Sequence, residues 1–448
     1  MADGLLNKAS IILTPTGYKA GTLYNVAPVL EPYEDFDFAR ASVASRVNSS
    51  GLVEMVGRTL GSELVVNGDF SDGSNGWIVS NGNITDKYNA SMTAYQNGIK
   101  ISPFNNTGTY RVTFDLVVTS GSCKFDAGGA NNEIFSTSGS KVIYVTNTSK
   151  FEFNAFNLGW VGSLDNVSVK QLIDTNNIPR ISYDSNGANG HILLEPTTTN
   201  LYLNTDTLST QNVSTSASVY SVSFYGTGTI TFSGSFSGSL VGTGVNNRVS
   251  LTFTATSGTL TSTVSGSVTN AQIENLGFST SYMPSLSTQG VRATETANGA
   301  GSATLINSTE GVLYAEIAAL ADDLTNRFIS ISNGSKAERV TFGYSNASNK
   351  ILAFSFVGNV IQCNVSFVLS NMLDYNKIAL KYKENDFALW VNGTEVATDN
   401  SGNVSSSNTF TELAFDEGDG TDVFFSKVKA LAVFNEALTD AELNNLTG

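Results

Sequence analysis

The chain has 448 residues, of which 14% are charged and 10% aromatic, and its formal net charge is −15. A chain of this length exceeds one ordinary hydrophobic core and predicts about two to four domains. The 26 Phe, 16 Tyr and 41 Gly are typical of a β-rich protein with many tight turns. The acidic charge, without a cluster of Lys or Arg, argues against nucleic acid as a partner. No apolar run approaches the length needed for membrane insertion.

Few residues of the chain are suited to catalysis. The two cysteines, Cys123 and Cys363, lie far apart and match no metal-ligand spacing. His191 is the single histidine, and we interpret it as a solvent-facing residue of a Gly- and Asn-rich loop, because no Ser or Cys elbow motif accompanies it. We therefore predict no catalytic residue and no enzymatic activity. Glycoside hydrolysis needs only two carboxylates, so composition does not exclude it, although no pair of acidic residues stands out.

Residues 1–60 form the first predicted segment. Two short apolar runs, Leu5 to Leu13 and Leu23 to Leu30, are interrupted by Thr, Pro and Gly. Sixty residues with so few apolar positions would make a poor core on their own. We predict an extended arm that folds against a neighbouring subunit, a particle or the later domains of its own chain.

Residues 61–175 are predicted to be a complete inserted domain. Tyr110 to Val118 and Lys141 to Val145 alternate apolar and polar side chains, as half-buried strands do. The opening ELVVNGDF (63–70) and the closing GWVGSLDNVSVK (159–170) resemble those of carbohydrate-binding jelly rolls, in which first and last strands lie side by side. The resemblance implies a structural calcium between Asp69 and Asp165, whose carboxylates are suitable ligands for this ion.

Residues 176–290 are predicted to form a second jelly-roll module. Four segments alternate apolar residues with Ser, Thr or Gly, as strands do: 219–225, 229–236, 249–255 and 260–268. The stretch AQIENLGFSTSYMP (271–284) resembles the closing strand of such a module.

Residues 291–448 carry the clearest strand pattern. KIALKYKENDFALWVNGTEVA (377–397) predicts three antiparallel strands, the last two joined at Asn392-Gly393, a strong hairpin-turn signal. Thr439 and Glu442 form the pattern of a capping box and predict a short helix. With FSKVKALAVF (425–434) and LTDAEL (438–443), this region resembles the last third of a concanavalin A-like, laminin G-type sandwich. That resemblance implies a lectin-like β-sandwich.

Three separated motifs carry another resemblance. DFDFARASVASRVNSSGLVEMV (35–56), NIPRISY (177–183) and ILLEPTTTNL (192–201) are similar to one N-terminal segment of bacteriophage virion proteins, typically fibre or tail-associated proteins. The resemblance implies that 61–175 interrupts that segment and that residues 1–60 bind other virion proteins. It also implies a location on the surface of the phage particle and a homotrimer.

Candidate carbohydrate ligands come from tryptophans and polar loops. For Trp77 and Trp390 we favour a core position, whereas Trp160 lies between glycines and is equally consistent with core or sugar stacking. Two predicted loops, 399–408 and 416–422, are rich in short polar side chains that can hydrogen-bond sugar hydroxyls. Their candidate residues are Asp399, Asn403, Asp416, Asp419 and Asp422. The acidic group in the second loop is alternatively a calcium site or, as we favour, a solvated turn.

We therefore predict an all-β protein with tandem β-sandwich or jelly-roll domains and an extended N-terminal arm. The favoured function is that of a bacteriophage fibre or tail-associated protein that binds host surface polysaccharide. The alternative is a capsid decoration or head-fibre protein with a purely structural role. A polysaccharide depolymerase is the weakest alternative. Apart from calcium, no cofactor is expected.

Overall fold

The computed structural model describes residues 5–24, 35–101, 108–128, 132–146, 150–286 and 288–448. Throughout these ranges the chain forms antiparallel β-sheets, with one 3-10 turn at Leu6–Lys8 and one α-helix, which confirms the all-β prediction. None of the helices in these ranges is long and apolar enough to cross a membrane. The chain divides into two compact units. Unit 1 comprises Met1–Gly57, Thr175–Pro284 and Gly290–Gly448, and unit 2 comprises Arg58–Asp174 and Ser285–Gln289.

The strands of the described residues are numbered along the chain. Unit 1 opens with β1 (Ala9–Leu13), β2 (Tyr18–Lys19), β3 (Thr22–Leu23), β4 (Phe36–Ala39), β5 (Ala44–Val47) and β6 (Val53–Val56). Unit 2 contains β7 (Arg58–Glu63), β8 (Trp77–Val79), β9 (Asn83–Ile84), β10 (Tyr88–Met92), β11 (Asn97–Ile101), β12 (Thr109–Asp126), β13 (Asn132–Phe135), β14 (Gly139–Thr146) and β15 (Glu152–Asp174).

Unit 1 then resumes with two further groups of strands. The first is β16 (Ile181–Ser182), β17 (His191–Leu194), β18 (Thr198–Asn200), β19 (Gln211–Thr215), β20 (Ser218–Gly226), β21 (Thr229–Gly234), β22 (Gly238–Val241), β23 (Gly244–Ala255), β24 (Gly258–Ser265), β25 (Val268–Glu274), β26 (Gly290–Arg292) and β27 (Thr296–Asn298). The second is β28 (Glu310–Ala318), β29 (Arg327–Ser332), β30 (Arg339–Tyr344), β31 (Lys350–Val357), β32 (Val360–Val368), β33 (Asn376–Lys383), β34 (Phe387–Val391), β35 (Thr394–Asp399), β36 (Glu412–Ala414) and β37 (Ser426–Phe434), followed by α1 (Asp440–Thr447).

Unit 2 is built around two long strands, β12 and β15, which pair antiparallel over most of their length. Its first strand, β7, pairs with the end of β15, so the unit begins and ends at neighbouring positions. Arg58 and Asp174 form an ion pair of 2.7 Å at that point. In unit 1 the amide of Thr175 donates to the carbonyl of Gly57 at 2.6 Å, so the flanking segments of the host unit also meet.

The C-terminal part of unit 1 is a sandwich of two sheets. One has the order β16-β17-β37-β28-β33-β34-β35, with β1 also paired to β37, and the other has the order β32-β31-β30-β29-β36. The predicted meander is confirmed in β33 to β35, where Asn392 and Gly393 both have the positive φ that a type I′ turn needs. The predicted capping box of Thr439 and Glu442 is also present at the start of α1.

Residues 1–60 are not a free arm in their described part. Strand β1 pairs with β37 at Leu13 and Leu431, while β17 pairs with the first half of the same strand. Phe36 and Phe38 are buried in the sandwich core, and they alternate along β4 with the exposed Asp37 and Ala39. Three packing partners were predicted for this segment, and the structure shows it packed against one of them, the later residues of its own chain. The predicted run Leu23 to Leu30 extends outside the described residues.

The middle of unit 1 is a smaller sandwich. A sheet with the order β23-β20-β25 and a sheet with the order β19-β24-β21-β22 enclose a separate apolar core. Strands β16 and β17 lie outside it, in the large C-terminal sheet. Strand β17, which belongs to the predicted second module (176–290), instead pairs with β37 and buries Ile192 and Leu194 in the core of the C-terminal sandwich.

Candidate functional site

The three virion-like motifs meet in a buried ionic cluster. Arg180 donates to both carboxylate oxygens of Glu295, and its Nη1 lies 2.8 Å from Oε2 of Glu195. Arg40 donates to Oε1 of Glu295 at 2.5 Å, and Arg292 lies 3.0 Å from Oε2 of Glu195. All five side chains are almost completely buried. Hence Arg40, Arg180 and Glu195, one from each motif, lie in a single network although unit 2 separates them in sequence.

The cluster stabilises its carboxylates in the charged form. Burial alone would raise the pKa of Glu195, but the guanidinium groups of Arg292 and Arg180 hold it at about 2. The amide and hydroxyl of Ser281 donate to the same carboxylate at 2.7 and 2.6 Å. Burying these charges costs desolvation, so removal of one partner would leave an uncompensated buried charge and would destabilise unit 1.

This lowered pKa predicts a specific loss of stability in acid. The stabilisation from Glu195 is fully present above the ordinary carboxyl pKa of 4.5 and is lost as the pH falls from there towards about 2. We expect the urea midpoint of unit 1 to fall between pH 5 and pH 2.5 more steeply in the native chain than in Glu195→Gln. Equal slopes for the two proteins would contradict this assignment.

A cavity of about 340 Å³ lies beside the ionic cluster, entirely within unit 1. Strands β5, β6, β16 and β17 form one wall, and residues of the small sandwich and of the C-terminal sandwich complete it. Glu195 and Ser281 belong to both the cluster and the cavity lining. The lining combines four tyrosines with hydrophilic and charged side chains: Tyr183, Tyr225, Tyr282, Tyr375, Arg46, Asp184, Asn189, His191, Glu195, Arg248 and Lys427.

His191 lies in this cavity, so the prediction of a solvent-facing loop residue was wrong. It is the first residue of β17 and is only 5% exposed. Its Nδ1 lies 2.9 Å from the carbonyl of Asn189, which can only accept, so Nδ1 carries the proton and Nε2 is an acceptor. Burial lowers the pKa of His191 to about 4, and the imidazole is therefore neutral at pH 7.

Two cations of the lining have no carboxylate partner among the described residues. Arg248 donates to the hydroxyl of Ser223 and the carbonyl of Thr280, both neutral acceptors, at 2.6 Å each. Lys427 forms no hydrogen bond and no ion pair within those residues, and burial lowers its pKa against the attraction of the Glu195 and Asp184 carboxylates. The third cation, Arg46, is neutralised by Glu54 at 2.6 Å.

The two loops predicted to contact sugar both border one turn of the C-terminal sandwich. This turn, residues 333–338, connects β29 to β30. Its Lys336 lies 3.8 and 3.9 Å from carboxylate oxygens of Asp419 and Asp422, and its Glu338 accepts from the hydroxyl of Ser405 at 2.7 Å. Thus the fold brings together two loops that are separate in sequence.

The exposed candidates in these loops remain open to a ligand. Asn403 and Asp419 have exposed side chains, and Asp399 is half-buried with its carboxylate accepting from Ser401 at 2.8 Å. Asp416, in contrast, is 3% exposed and accepts from Asn298 and from the amide of Gly418. It holds the loop in place and is not available to a sugar.

Trp160 is likewise unavailable for sugar stacking. It is fully buried in the core of unit 2, packs against Tyr88 with ring centroids 5.8 Å apart, and donates its indole N–H to the carbonyl of Val117. Trp77 and Trp390 are each 6% exposed and are core residues, as predicted. Because glycines lie on both sides of Trp160, the sequence did not indicate that this residue is buried.

The predicted calcium pair is not part of a larger ligand set. Asp69 is exposed and accepts from the hydroxyl of Ser71 at 2.9 Å, while Asp165 accepts from the amide of Asn166 at 2.8 Å. No group of three or more His, Cys, Asp or Glu side chains suited to a metal occurs among the described residues. Calcium binding by Asp69 and Asp165 stays a prediction, which a melting curve of the protein with and without chelator would test.

The sequence did not indicate Tyr375, Arg248 or Lys427 as site residues. Tyr375 and Arg248 lie in no motif, and Lys427 lies in FSKVKALAVF (425–434), which indicated a fold and not a site. The signal in the sequence that could have indicated this site was the pair of charged motif residues Arg180 and Glu195, because the cavity lies beside them.

No protein-family model and no curated protein matches this chain. Solved structures similar to it include the CBM40 of the Ruminococcus gnavus IT-sialidase bound to α2,3 sialyllactose, at 16% identity over 34% of this chain and 94% of that one, with a TM-score of 0.27. Domain 4 of AbnA, a GH43 extracellular arabinanase from Geobacillus stearothermophilus, in complex with arabinotriose, shares 12% identity over 35% and 73% of the chains, with a TM-score of 0.27. A native heptameric SAP-like pentraxin from Limulus polyphemus shares 14% identity over 32% and 71%, with a TM-score of 0.26. At these identities and TM-scores the likenesses assign no ligand to this chain.

Proposed function

We propose that this chain is a glycan-binding protein of a bacteriophage particle and that the cavity of unit 1 is its glycan site. The observation that carries the proposal is the cavity itself. Its volume lies at the lower end of small-molecule sites, which are about 300–1,000 Å³. Tyrosine rings supply apolar faces for a sugar ring, and hydroxyl, amide and imidazole groups supply partners for sugar hydroxyls. The loops around Lys336 are the second candidate region.

The electrostatics of the cavity favour binding over hydrolysis. A glycosidase needs a carboxylic acid with a raised pKa to protonate the leaving group. The two carboxylates of this cavity have the opposite property. Glu195 has a pKa of about 2, and the amide of Ala188 and the side chain of Asn189 lower that of Asp184. We therefore propose a binding protein without catalytic activity.

The proposed location on a phage particle rests on the residue motifs. Their similarity to virion proteins is supported by the convergence of Arg40, Arg180 and Glu195 in one cluster, since a segment interrupted by an insertion should remain whole in space. Attachment to other virion proteins through residues 1–60 and a homotrimer belong to the same proposal. Immunogold labelling of purified particles would locate the chain on tail or head, and light scattering would give its subunit number.

Removing the ring of Tyr375 is expected to weaken glycan binding at least about tenfold, because stacking and a hydrogen bond are lost together. The measurement is binding of full-length native and Tyr375→Ala protein to an array of bacterial surface glycans. Tyr95→Ala is the matched control, because Tyr95 is exposed in unit 2 and does not line the cavity.

Three outcomes separate the alternatives. Loss in Tyr375→Ala alone supports the cavity as the glycan site. Loss in Asn403→Ala and Asp419→Ala, with native binding in Tyr375→Ala, would move the site to the loops. Absence of binding in every protein would favour the alternative of a capsid decoration or head-fibre protein.

A further inference from the structure

We infer that the cavity selects its glycan through a carboxylate, so that its ligand is an acidic sugar. This inference rests on the proposed glycan-binding function and adds a ligand class to it. It follows from the charges that line the cavity and from their partners. The whole chain carries a net charge of −15, and a cavity with excess positive charge is therefore a local exception.

The acidic side chains of the lining already have ion-pair or hydrogen-bond partners in the protein. Glu195 is held by Arg180, Arg292 and Ser281, and Asp184 accepts from the amides of Asn186 and Ala188 and from the side chain of Asn189. The charge of Glu195 is therefore compensated by arginines, and the oxygens of Asp184 are satisfied by amide donors although no cation pairs with them. Neither carboxylate forms an ion pair with Arg248 or Lys427 among the described residues, although both attract Lys427 from a distance.

The cationic side chains of Arg248 and Lys427, in contrast, form no ion pair with a carboxylate among the described residues. Lys427 has no partner for its ammonium group among the described residues, and the Nε of Arg248 is buried without an acceptor. Both side chains line the cavity. A buried donor without a partner, such as Nε of Arg248, costs free energy. A carboxylate bound in the cavity could accept from this donor and attract the half-buried ammonium of Lys427, whereas a neutral sugar would compensate neither charge.

The remaining groups suit the rest of a sugar ring. His191 offers Nε2 as an acceptor for a hydroxyl group, and the rings of Tyr183 and Tyr375 line the same space. A carboxylate on a pyranose therefore accounts for the cations, the acceptor and the aromatic faces together. A free inorganic anion would account for the cations alone.

Lys427 provides a test that does not endanger the fold. The side chain is half-buried without a partner among the described residues, so Lys427→Gln removes an unfavourable charge and is expected to keep the native melting temperature. Lys427→Arg keeps the charge and serves as the rescue variant. Lys383→Gln is the matched control, because Lys383 is exposed and paired with Glu310 outside the cavity lining.

The experiment compares methyl β-glucuronide with methyl β-glucoside, which differ in the carboxylate, by ligand-observed NMR titration of the full-length protein. We expect the native protein and the Lys427→Arg and Lys383→Gln variants to bind the glucuronide at least about tenfold more tightly, and Lys427→Gln to lose that preference. Equal binding of the two glycosides, or an unchanged preference in Lys427→Gln, would overturn the acidic-sugar inference while leaving glycan binding intact. Inorganic phosphate that binds as tightly as the glucuronide would also overturn it, in favour of a simple anion site. Binding of neither glycoside, with no binding on the glycan array, would overturn both proposals.

Discussion

A fragment of residues 300–448 is expected to be unfolded or insoluble, although its sequence resembles a lectin-like sandwich. In the fragment, one edge of β37 would lose both of its partner strands, β1 and β17, which come from the first 200 residues. An unpaired central-strand edge exposes its backbone groups and promotes aggregation. The fragment would also lose eight buried apolar side chains of the core: Ile11, Leu13, Leu23, Phe36, Phe38, Ile192, Leu194 and Ala297.

The magnitude of this loss decides the outcome. Full burial of one Leu, Ile or Phe side chain is worth about 1.5–3 kcal/mol, so the seven of these larger than alanine together amount to on the order of 10 kcal/mol. Domains are stable by only about 5–15 kcal/mol. Circular dichroism and gel filtration of the fragment would check the prediction. A folded, monomeric fragment would mean that β1 and β17 are dispensable additions to the sheet.

A second deletion serves as the comparison: it removes residues 58–174 of unit 2 and keeps unit 1. Replacing residues 58–174 by a short Gly-Ser linker is expected to leave unit 1 folded, because Gly57 and Thr175 already meet through a hydrogen bond of 2.6 Å. The same reasoning predicts that deleting residues 1–60 unfolds unit 1, since β1 and β4 belong to it. Assembly through the N-terminal segment must therefore be tested with surface substitutions in the full chain.

Replacing Arg180 by methionine is expected to destabilise unit 1 by about 3–5 kcal/mol. Methionine fills most of the volume but leaves Glu195 and Glu295 buried without their shared partner. Hydrogen exchange followed by mass spectrometry would measure the loss, because peptides from units 1 and 2 are resolved separately. We expect faster exchange in the peptides of unit 1 only.

Arg58→Met is the control for that substitution. It removes the same side chain from an ion pair with Asp174 that is partly exposed to water, and such pairs contribute less than about 1 kcal/mol. Similar small effects for Arg58→Met and Arg180→Met would show that the buried cluster does not hold unit 1 together.

Much of the local structure was predictable from the sequence. Alternation with period two identified the meander of β33 to β35, Asn392-Gly393 identified its turn, and Thr439 with Glu442 identified the start of α1. Each of these features depends on residues a few positions apart, because strand alternation, turn geometry and helix capping are local properties. For the same reason the all-β class was predictable.

The candidate site was hardly predictable. Alternation shows which face of a strand is buried but not which strand lies beside it, and β1 pairs with β37 across more than 400 residues, at Leu13 and Leu431. His191 was misjudged, and Trp160 was left undecided between core and sugar stacking, because Gly-rich flanking sequence suggests exposure whereas burial is set by the sheets that cover a residue. Loop residues such as Asp416 can be buried for the same reason.

The sequence by itself therefore determined the strands, the turns, the helix and the charged motif residues of this protein. Only the tertiary structure decided that Arg40 and Arg180 pair with Glu295, and that Arg180 also pairs with Glu195. It also decided that Arg248 and Lys427 form no ion pair with a carboxylate among the described residues. The physical reason is that a buried charge must be compensated by whatever the fold brings near it, and that neighbourhood is created by long-range strand pairing. The cavity and its excess of positive charge are therefore products of the tertiary structure and not of the local sequence.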